Sequence, residues 1–288
     1  MLNKRYLILG KNGMLGQDLQ KVFHDRDFVT LGSTELDIRD EEAVKAILLN
    51  VQPDVVINAT AYTNVNEAEK NLELAKEING YAVGKLAKIC RDFGVLLVHF
   101  SSDYVFNGQK KDGYREDDLP DPVNEYGISK LLGEQLLQDE MEMDLGGDNN
   151  DEGKFFLIRT SYLIGHGRAN LVSKLLDKAK AGVPFKVIED QFSKVTFCLD
   201  LASQVKWLIE SGEYESGIYH ITNSGVTNWL EFARTLLHDS GLNFELAVPC
   251  LASEWISPVK RPQFSVLVNT KLPELRHWKE ALKDYLST

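Results

Sequence analysis

The sequence predicts an α/β fold: a doubly wound parallel sheet with a smaller, carboxyl-terminal lobe. Two observations carry this. Short apolar runs alternate with amphipathic stretches from Tyr6 to Arg159, and such alternation gives parallel strands joined by crossover helices. The first run passes directly into a glycine turn, Gly10-Lys-Asn-Gly13-Met-Leu-Gly16, and then into an amphipathic stretch over 15–23. Strand, glycine turn and helix in that order are the context of a dinucleotide site on a Rossmann-type sheet. Gly10 serves the tight turn, Gly13 lets backbone N–H groups approach a pyrophosphate, and Gly16 lets helix pack on strand. The helix amino terminus adds partial positive charge. The spacing is G-x-x-G-x-x-G, not the G-x-G-x-x-G of two-domain dehydrogenases.

The elements follow in order. Residues 6–9 (Tyr-Leu-Ile-Leu) read as a buried strand, 28–31 as a second strand and 41–50 as a helix. Pro53 announces a third strand at 54–58. A long helix over 72–93 presents Leu74, Ile78, Val83, Leu86, Ala87 and Cys90, and Gly94 caps it. A fourth strand at 95–101, a helix at 126–138 and a strand at 155–159 complete this half. Ligands on such sheets bind at the carboxyl ends of the strands. Gly10, Asn58 and Ser101 all fall there. Residues 1–160 therefore read as the NAD(P)-binding domain.

Residues 161–288 read as mainly a substrate-binding lobe, with segments returning to the first sheet. Helices are expected at 170–181, 199–211, 228–240 and 278–286, and strands at 185–188 and 217–221. Asn228 with Glu231 has the spacing of a capping box.

Composition restricts function. At 288 residues, 43% hydrophobic and 26% charged, the chain can bury a large core. No apolar stretch is long enough to span a bilayer, and the first eleven residues do not form a signal peptide. Cys90, Cys198 and Cys250 lack metal-ligand spacing, and reduced thiols fit a cytoplasmic setting. A net charge of −11 argues against nucleic acid as a partner. The segment 139–153 carries seven acidic residues and no basic one. It reads as a solvated loop, since it lacks the calcium-loop pattern.

Chemistry enters with Tyr126-Gly-Ile-Ser-Lys130, downstream of a strand that ends in Ser101-Ser102. Tyrosine and lysine four apart lie on one helix face. An ammonium beside a phenol is expected to lower its pKa from about 10 toward working pH. A nearby hydroxyl can bond the phenol oxygen. The set is a proton donor for a carbonyl undergoing reduction.

With the glycine turn, Ser102, Tyr126 and Lys130 in order, the chain resembles the extended short-chain dehydrogenase/reductases. Further segments narrow this. Asn58-Ala-Thr-Ala-Tyr-Thr-Asn-Val-Asn-Glu-Ala-Glu69 resembles N-A-A-A-Y-T-x-V-D-x-A-E. Ser101-Ser-Asp-Tyr-Val-Phe-Asn-Gly108 resembles S-T-D-Y-V-F-x-G, and Ile158-Arg-Thr-Ser-Tyr-Leu-Ile-Gly165 resembles L-R-T-S-W-L-Y-G. Arg261-Pro followed by Ser265-Val-Leu resembles R-P-x-x-S-x-L. Together these are similar to the dTDP-4-dehydrorhamnose reductase family, almost end to end.

The resemblance implies reduction of the C4 keto group of a dTDP-4-dehydro-6-deoxy sugar by NADPH or NADH, in nucleotide-sugar and polysaccharide biosynthesis. Tyr126 would protonate the developing alkoxide, Lys130 would assist it and hold the nicotinamide ribose, and Ser102 would tune the phenol. The cofactor would lie over Gly10, Gly13, Met14, Leu15 and Gly16, with Asp37 and Ile38 near adenine. Thr60, Ala61, Tyr62 and Phe100 would line its path. Ser102, Asp103, Tyr162, Asn170 and Arg261 are substrate candidates, Arg261 because its fork suits a diphosphate. The resemblance allows a homodimer. It leads to no metal, because Asp18 and Glu189 match the family's magnesium carboxylates poorly.

No acid directly follows the second strand, so NADPH is expected to serve at least as well as NADH unless Glu35 reaches back. The departures fall in the substrate half. Tyr162 replaces a tryptophan, Asn66 an aspartate, and Ser193 and Val195 the glycine and proline of D-Q-x-G-x-P-T. Val268 stands where an aspartate or asparagine is common. A related 4-keto sugar nucleotide stays open, as does a regulatory subunit of the same fold, although the Tyr-Lys pair favours an enzyme.

Overall fold

The computed structural model describes residues 4–143, 153–167 and 170–287. Its centre is a six-stranded parallel sheet. In chain order come β1 (Arg5–Leu9), α1 (Met14–Val22), β2 (Asp27–Leu31), α2 (Glu41–Val51) and β3 (Val55–Asn58). Then follow α3 (Val65–Ala68), α4 (Leu72–Lys76), α5 (Ala82–Asp92), β4 (Leu96–Ser102), α6 (Glu125–Met141) and β5 (Phe155–Thr160). The sixth strand, β10 (Gly217–His220), comes from the second half of the chain, so sheet order is β10-β5-β4-β3-β1-β2. The expected long helix over 72–93 is one run interrupted by a π-helical turn at Glu77–Tyr81.

The second half runs β6 (Leu163–Ile164), α7 (Leu171–Lys180), β7 (Phe185–Ile188), β8 (Phe192–Lys194), β9 (Thr196–Phe197), α8 (Cys198–Ser211) and β10 (Gly217–His220). It continues through β11 (Asn223–Ser224), β12 (Val226–Asn228), α9 (Trp229–Asp239), β13 (Ala247–Cys250), β14 (Leu275–His277) and α10 (Trp278–Ser287). Its strands other than β10 form four two-stranded sheets.

Three apolar clusters account for most of the packing. One face of the large sheet buries Ile8, Ile57, Val98 and Ile158 against α1 and α8. The other face buries Leu7, Val56 and Leu97 against α2, α5 and α6. The alternation places successive strand residues on opposite faces, and both are covered, as parallel sheets require. A third cluster joins α7, α9 and α10 around Phe232 and Trp278. Thus α8 and β10 return to the large sheet although they lie beyond residue 160.

Asn228 caps α9 by accepting from the Glu231 N–H, 2.8 Å. Glu231 does not complete the capping box. Its carboxylate accepts from Thr227 and pairs with Lys279. The three cysteines are buried thiols. Among the described residues, no helix is long and apolar enough to cross a membrane.

The segment 139–153 is not a loop from its first residue. α6 continues to Met141, whose side chain is fully buried, and Glu140 pairs with Arg91 at 2.9 Å. The burial of Met141 among Leu86, Cys90 and Phe155 overrides the acidic composition around it. Residues 144–152 lie outside the described residues.

Candidate active site

The dinucleotide end is shaped by backbone. Gly10 has φ 93°, and a side chain there would meet the Ala59 carbonyl at 2.7 Å. A Cβ on Gly16 would collide with the Gly10 carbonyl, so Gly16 allows α1 to lie on the end of β1. Gly13 is the α1 N-cap and supplies no side-chain acceptor. The first amides of α1 are therefore open to an anionic group. A pyrophosphate fits that chemistry. Met14 lines the cleft, whereas the Leu15 side chain turns into the core and leaves only its backbone for a ligand.

The adenine candidates divide. Asp37 is exposed and paired with Arg39 at 2.5 Å, while Ile38 is buried in the core. Thr60, Ala61 and Tyr62 follow β3; Thr60 Oγ1 donates to Asn58 at 2.6 Å and the Tyr62 N–H to Asn79 at 2.8 Å. The Phe100 ring is also core, and its carbonyl rather than its side chain faces the site. Glu35 does reach back to the end of β2. It accepts from the Gly32 N–H at 2.8 Å and from Lys11 Nζ at 2.5 Å.

The reaction end joins β4 to α6. Ser102 is the last residue of β4, and its hydroxyl donates to Asp103 at 3.0 Å. Asn124 caps α6 by accepting from Gly127 N–H, 2.8 Å. A Cβ on Gly127 would collide with the Tyr104 carbonyl, so the residue after Tyr126 must be small for α6 to start against β4. Tyr126 meets the Tyr104 ring edge-on at 5.9 Å. Lys130 is buried and donates to the Phe100 carbonyl at 2.6 Å.

The electrostatics reverse one expectation. Burial pushes the Tyr126 phenol up to about 12; the Ser102 hydroxyl draws it back and Asp103 pushes it further up. Burial also brings Lys130 down to about 8, against the opposing pull of Glu134. The lysine nitrogen is held at the Phe100 carbonyl, and desolvation outweighs any help it gives the phenolate. A phenol held high stays protonated at neutral pH, which is the form that donates.

The sugar end is a cleft of about 900 Å³ lined by Ser102, Asp103, Tyr126, Tyr162 and Arg261. Asp103 is buried, and burial raises its carboxyl to about 6 although hydroxyls of Ser265, Ser102 and Ser193 lower it. Tyr162 adopts φ 41° and stacks on Trp229 at 4.1 Å. Arg261 donates to Ser257 and Asn66, each at 2.8 Å, and both partners are neutral. The site lies where the first sheet meets the smaller lobe.

Asn170 is placed differently. Its side chain caps α7 by accepting from Ser173 and donates to the Gly165 carbonyl, close to Met14. The cap occupies the group expected to reach sugar. Trp229, Trp255 and Lys174 also line the cleft and were not singled out from sequence. Trp229 follows the Asn228 cap, and a tryptophan at the first position of a helix is the one local signal available.

Residues 4–288 match the family model described as the RmlD substrate binding domain. The chain is 35% identical over 288 residues to the spore coat polysaccharide biosynthesis protein SpsK of Bacillus subtilis, covering 98% of this chain and 96% of that protein. It is 34% identical over 290 residues to a dTDP-4-dehydrorhamnose reductase of Streptomyces griseus, covering 97% and 92%. The crystal structure of the Bacillus anthracis dTDP-4-dehydrorhamnose reductase in complex with NADP matches with a TM-score of 0.90 at 29% identity, over 99% of each chain. With the Tyr126–Lys130 pair, the glycine turn and these end-to-end matches together, the chain belongs to the dTDP-4-dehydrorhamnose reductase family.

Proposed function

We propose that this enzyme reduces the C4 keto group of a dTDP-4-dehydro-6-deoxy sugar, with dTDP-4-dehydro-β-L-rhamnose as substrate and dTDP-β-L-rhamnose as product. The observation that carries the reading is one cleft that joins Ser102, Tyr126, Asp103 and Arg261. The bound NADPH or NADH supplies the hydride. The glycine turn and the open α1 amides would hold its pyrophosphate, and Lys130 would meet its ribose.

Tyr126 gives its phenolic proton to the oxygen that becomes the alcohol. The Ser102 hydroxyl lowers the phenol's pKa against burial and so eases release of the proton. Lys130 places positive charge one helical turn away, on the same face. Arg261 meets the sugar nucleotide's diphosphate with a guanidinium held by neutral partners.

Three family departures meet this end of the cleft. Asn66 accepts from Arg261, Ser193 donates to Asp103 at 3.2 Å, and Tyr162 stacks on Trp229. They favour tuning toward the sugar; among the reducing residues Ser102 replaces the threonine of S-T-D-Y-V-F-x-G and keeps its hydroxyl. A screen of dTDP-, UDP- and GDP-linked 4-keto-6-deoxy sugars with NADPH tests the reading. Fastest turnover of the dTDP-linked rhamnose precursor supports it; turnover of none of them overturns it.

A further inference from the structure

Gln191 is a buried polar residue that the reaction described above leaves unused. It stands between β7 and β8 and lines the cleft. It is 6% exposed, yet its carboxamide makes no hydrogen bond to any described residue. A buried amide without a partner is costly, and a native one calls for an explanation.

The chain on either side of it is fixed. Asp190 accepts from the Ala252 N–H at 2.8 Å. The Phe192 N–H donates to the Gln263 carbonyl at 2.7 Å, and the Phe192 carbonyl accepts from the Ser265 N–H at 2.9 Å. The Phe192 ring stacks on Phe264 at 5.5 Å. Burial alternates along this stretch: Gln191, Ser193 and Val195 are buried, while Phe192 and Lys194 are half-buried. Ser193, on the same face as Gln191, donates to Asp103 at 3.2 Å. Gln191 therefore enters the cleft on the Asp103 side, from a backbone held at both neighbours.

A carboxamide offers an N–H donor and a carbonyl acceptor side by side. A diphosphate can use only the donor, whereas neighbouring hydroxyls can use both. In the proposed substrate C1 carries the diphosphate, C4 is the ketone and C6 is a methyl group. Hydroxyls remain only at C2 and C3, which are adjacent. We propose that Gln191 is a substrate-binding residue whose carboxamide accepts from one of these two hydroxyls and donates to the other. This rests on reading the cleft as the site of a 4-keto-6-deoxy sugar nucleotide. C3 is bonded to the reacting carbon, so the contact sets the orientation of the sugar as well as its affinity.

The test uses Gln191→Met, which keeps the length of the side chain and removes donor and acceptor together. Calorimetry compares dTDP with dTDP-L-rhamnose, which differ by the sugar. The variant should bind dTDP-L-rhamnose about tenfold more weakly than wild type, the scale of two neutral hydrogen bonds, and dTDP within about twofold. NADPH affinity should not change. In turnover, kcat/KM for the keto sugar should fall by the same factor as dTDP-L-rhamnose affinity. Unchanged dTDP-L-rhamnose affinity in the folded variant overturns the proposal. An equal loss for dTDP also overturns it, because the amide would then serve the diphosphate.

If Gln191→Met does not fold, the wild-type side-chain amide decides. Its nitrogen-15 and proton shifts should move further with dTDP-L-rhamnose than with dTDP. Equal movement, or none, overturns the proposal. The expected loss in Gln191→Met, beside a wild type that reduces no keto sugar, would keep this inference and remove the reductase reading. A wild type that reduces the keto sugar, beside a Gln191→Met that binds dTDP-L-rhamnose as tightly, would remove this inference alone.

Discussion

The two ends of the cleft are built by different means. The dinucleotide and reaction end rests on backbone: Gly10, Gly13 and Gly16, the open amides of α1, and the carbonyl of Phe100. It stands on one continuous six-stranded sheet. The sugar end rests on side chains carried by short two-stranded sheets and turns: Asp103 with Ser193 and Ser265, Tyr162 on Trp229, Arg261 with Asn66. Backbone sites tolerate little change, because a Cβ at Gly10 or Gly16 meets backbone atoms that cannot yield. Side-chain sites can be altered one residue at a time. The family departures Tyr162, Ser193 and Asn66 fall at the second end, as that difference requires. Asn66 is carried by α3 of the first half, so these departures follow the sugar end of the cleft rather than the boundary between the halves.

The largest expected effect tests that division directly. Tyr126→Phe removes one oxygen and keeps the edge contact with Tyr104. The catalytic rate should fall by about two to four orders of magnitude, the scale of general acid–base help. NADPH affinity, measured by fluorescence titration, should stay within about threefold, because the backbone makes that site. Lys130→Met should harm both quantities, and Ser102→Ala should harm rate less than Tyr126→Phe. A Tyr126→Phe enzyme working at wild-type rate would refute the mechanism.

Next comes the buried acid of the sugar end. Asp103 is raised from an ordinary 3.8 to about 6. A carboxyl raised in the fold stabilises fully below the unfolded value, and that contribution is lost as pH rises through the folded value. A shift of about two units corresponds to roughly 3 kcal/mol. Asp103→Asn cannot ionise, so its Tm relative to wild type should rise between pH 4 and pH 7.5. The same change should weaken sugar-nucleotide binding. A Tm difference that stays flat across that range would show that the hydroxyls of Ser102, Ser193 and Ser265 already compensate the charge.

The adenosine end sharpens the comparison, because there a side chain intrudes on a backbone site. Glu35 is bound by the Gly32 N–H and by Lys11. Lys11 cancels the charge that would repel a 2′-phosphate, so the wild type should bind NADPH at least as well as NADH. Glu35→Gln frees Lys11 for the phosphate and should raise the NADPH preference about tenfold, one charge-assisted contact. Lys11→Ala should reverse it. Paired dissociation constants for the two cofactors check both, and NADPH bound tenfold more weakly than NADH by wild type would contradict the claim.

Legibility in the sequence follows the same boundary. β1, the glycine turn and α1 could be read because local pattern and glycine placement decide them, and Tyr126, Lys130 and Ser102 because one helix face and one strand end bring them together. Glu35 was ambiguous because its reach depends on a turn, Gly32 to Glu35, that no periodicity records. The pKa of Tyr126 was misread because spacing gives the neighbour but not the burial. β6, β9 and β11 have two residues each, too few for alternation to show, and Trp229 lines the cleft stacked on Tyr162, a long-range contact that no local pattern records. The sugar end therefore had to be seen folded.

The smallest expected effect concerns the acidic segment, and its design depends on where α6 stops. Composition alone invites replacement of 139–153. That would remove Met141 from its fully buried place, the Glu140 pair with Arg91, and the Gly153 N–H bond to the Met141 carbonyl at 2.9 Å. Deleting a buried side chain of that size costs about 2–5 kcal/mol, so such a variant would test the core rather than the segment. Replacement of 144–152 alone by a Gly-Ser linker leaves those contacts intact. Tyr126 and Lys130 occupy the start of the same helix, and Met141 is at its far end, about four turns from Tyr126 and about three from Lys130 by the helical repeat. The catalytic rate of this variant should stay within about threefold of wild type, with NADPH affinity unchanged. A loss of two or more orders of magnitude in a folded variant would give the segment a part in the reaction, and the sheet half of the molecule would then no longer hold the chemistry by itself.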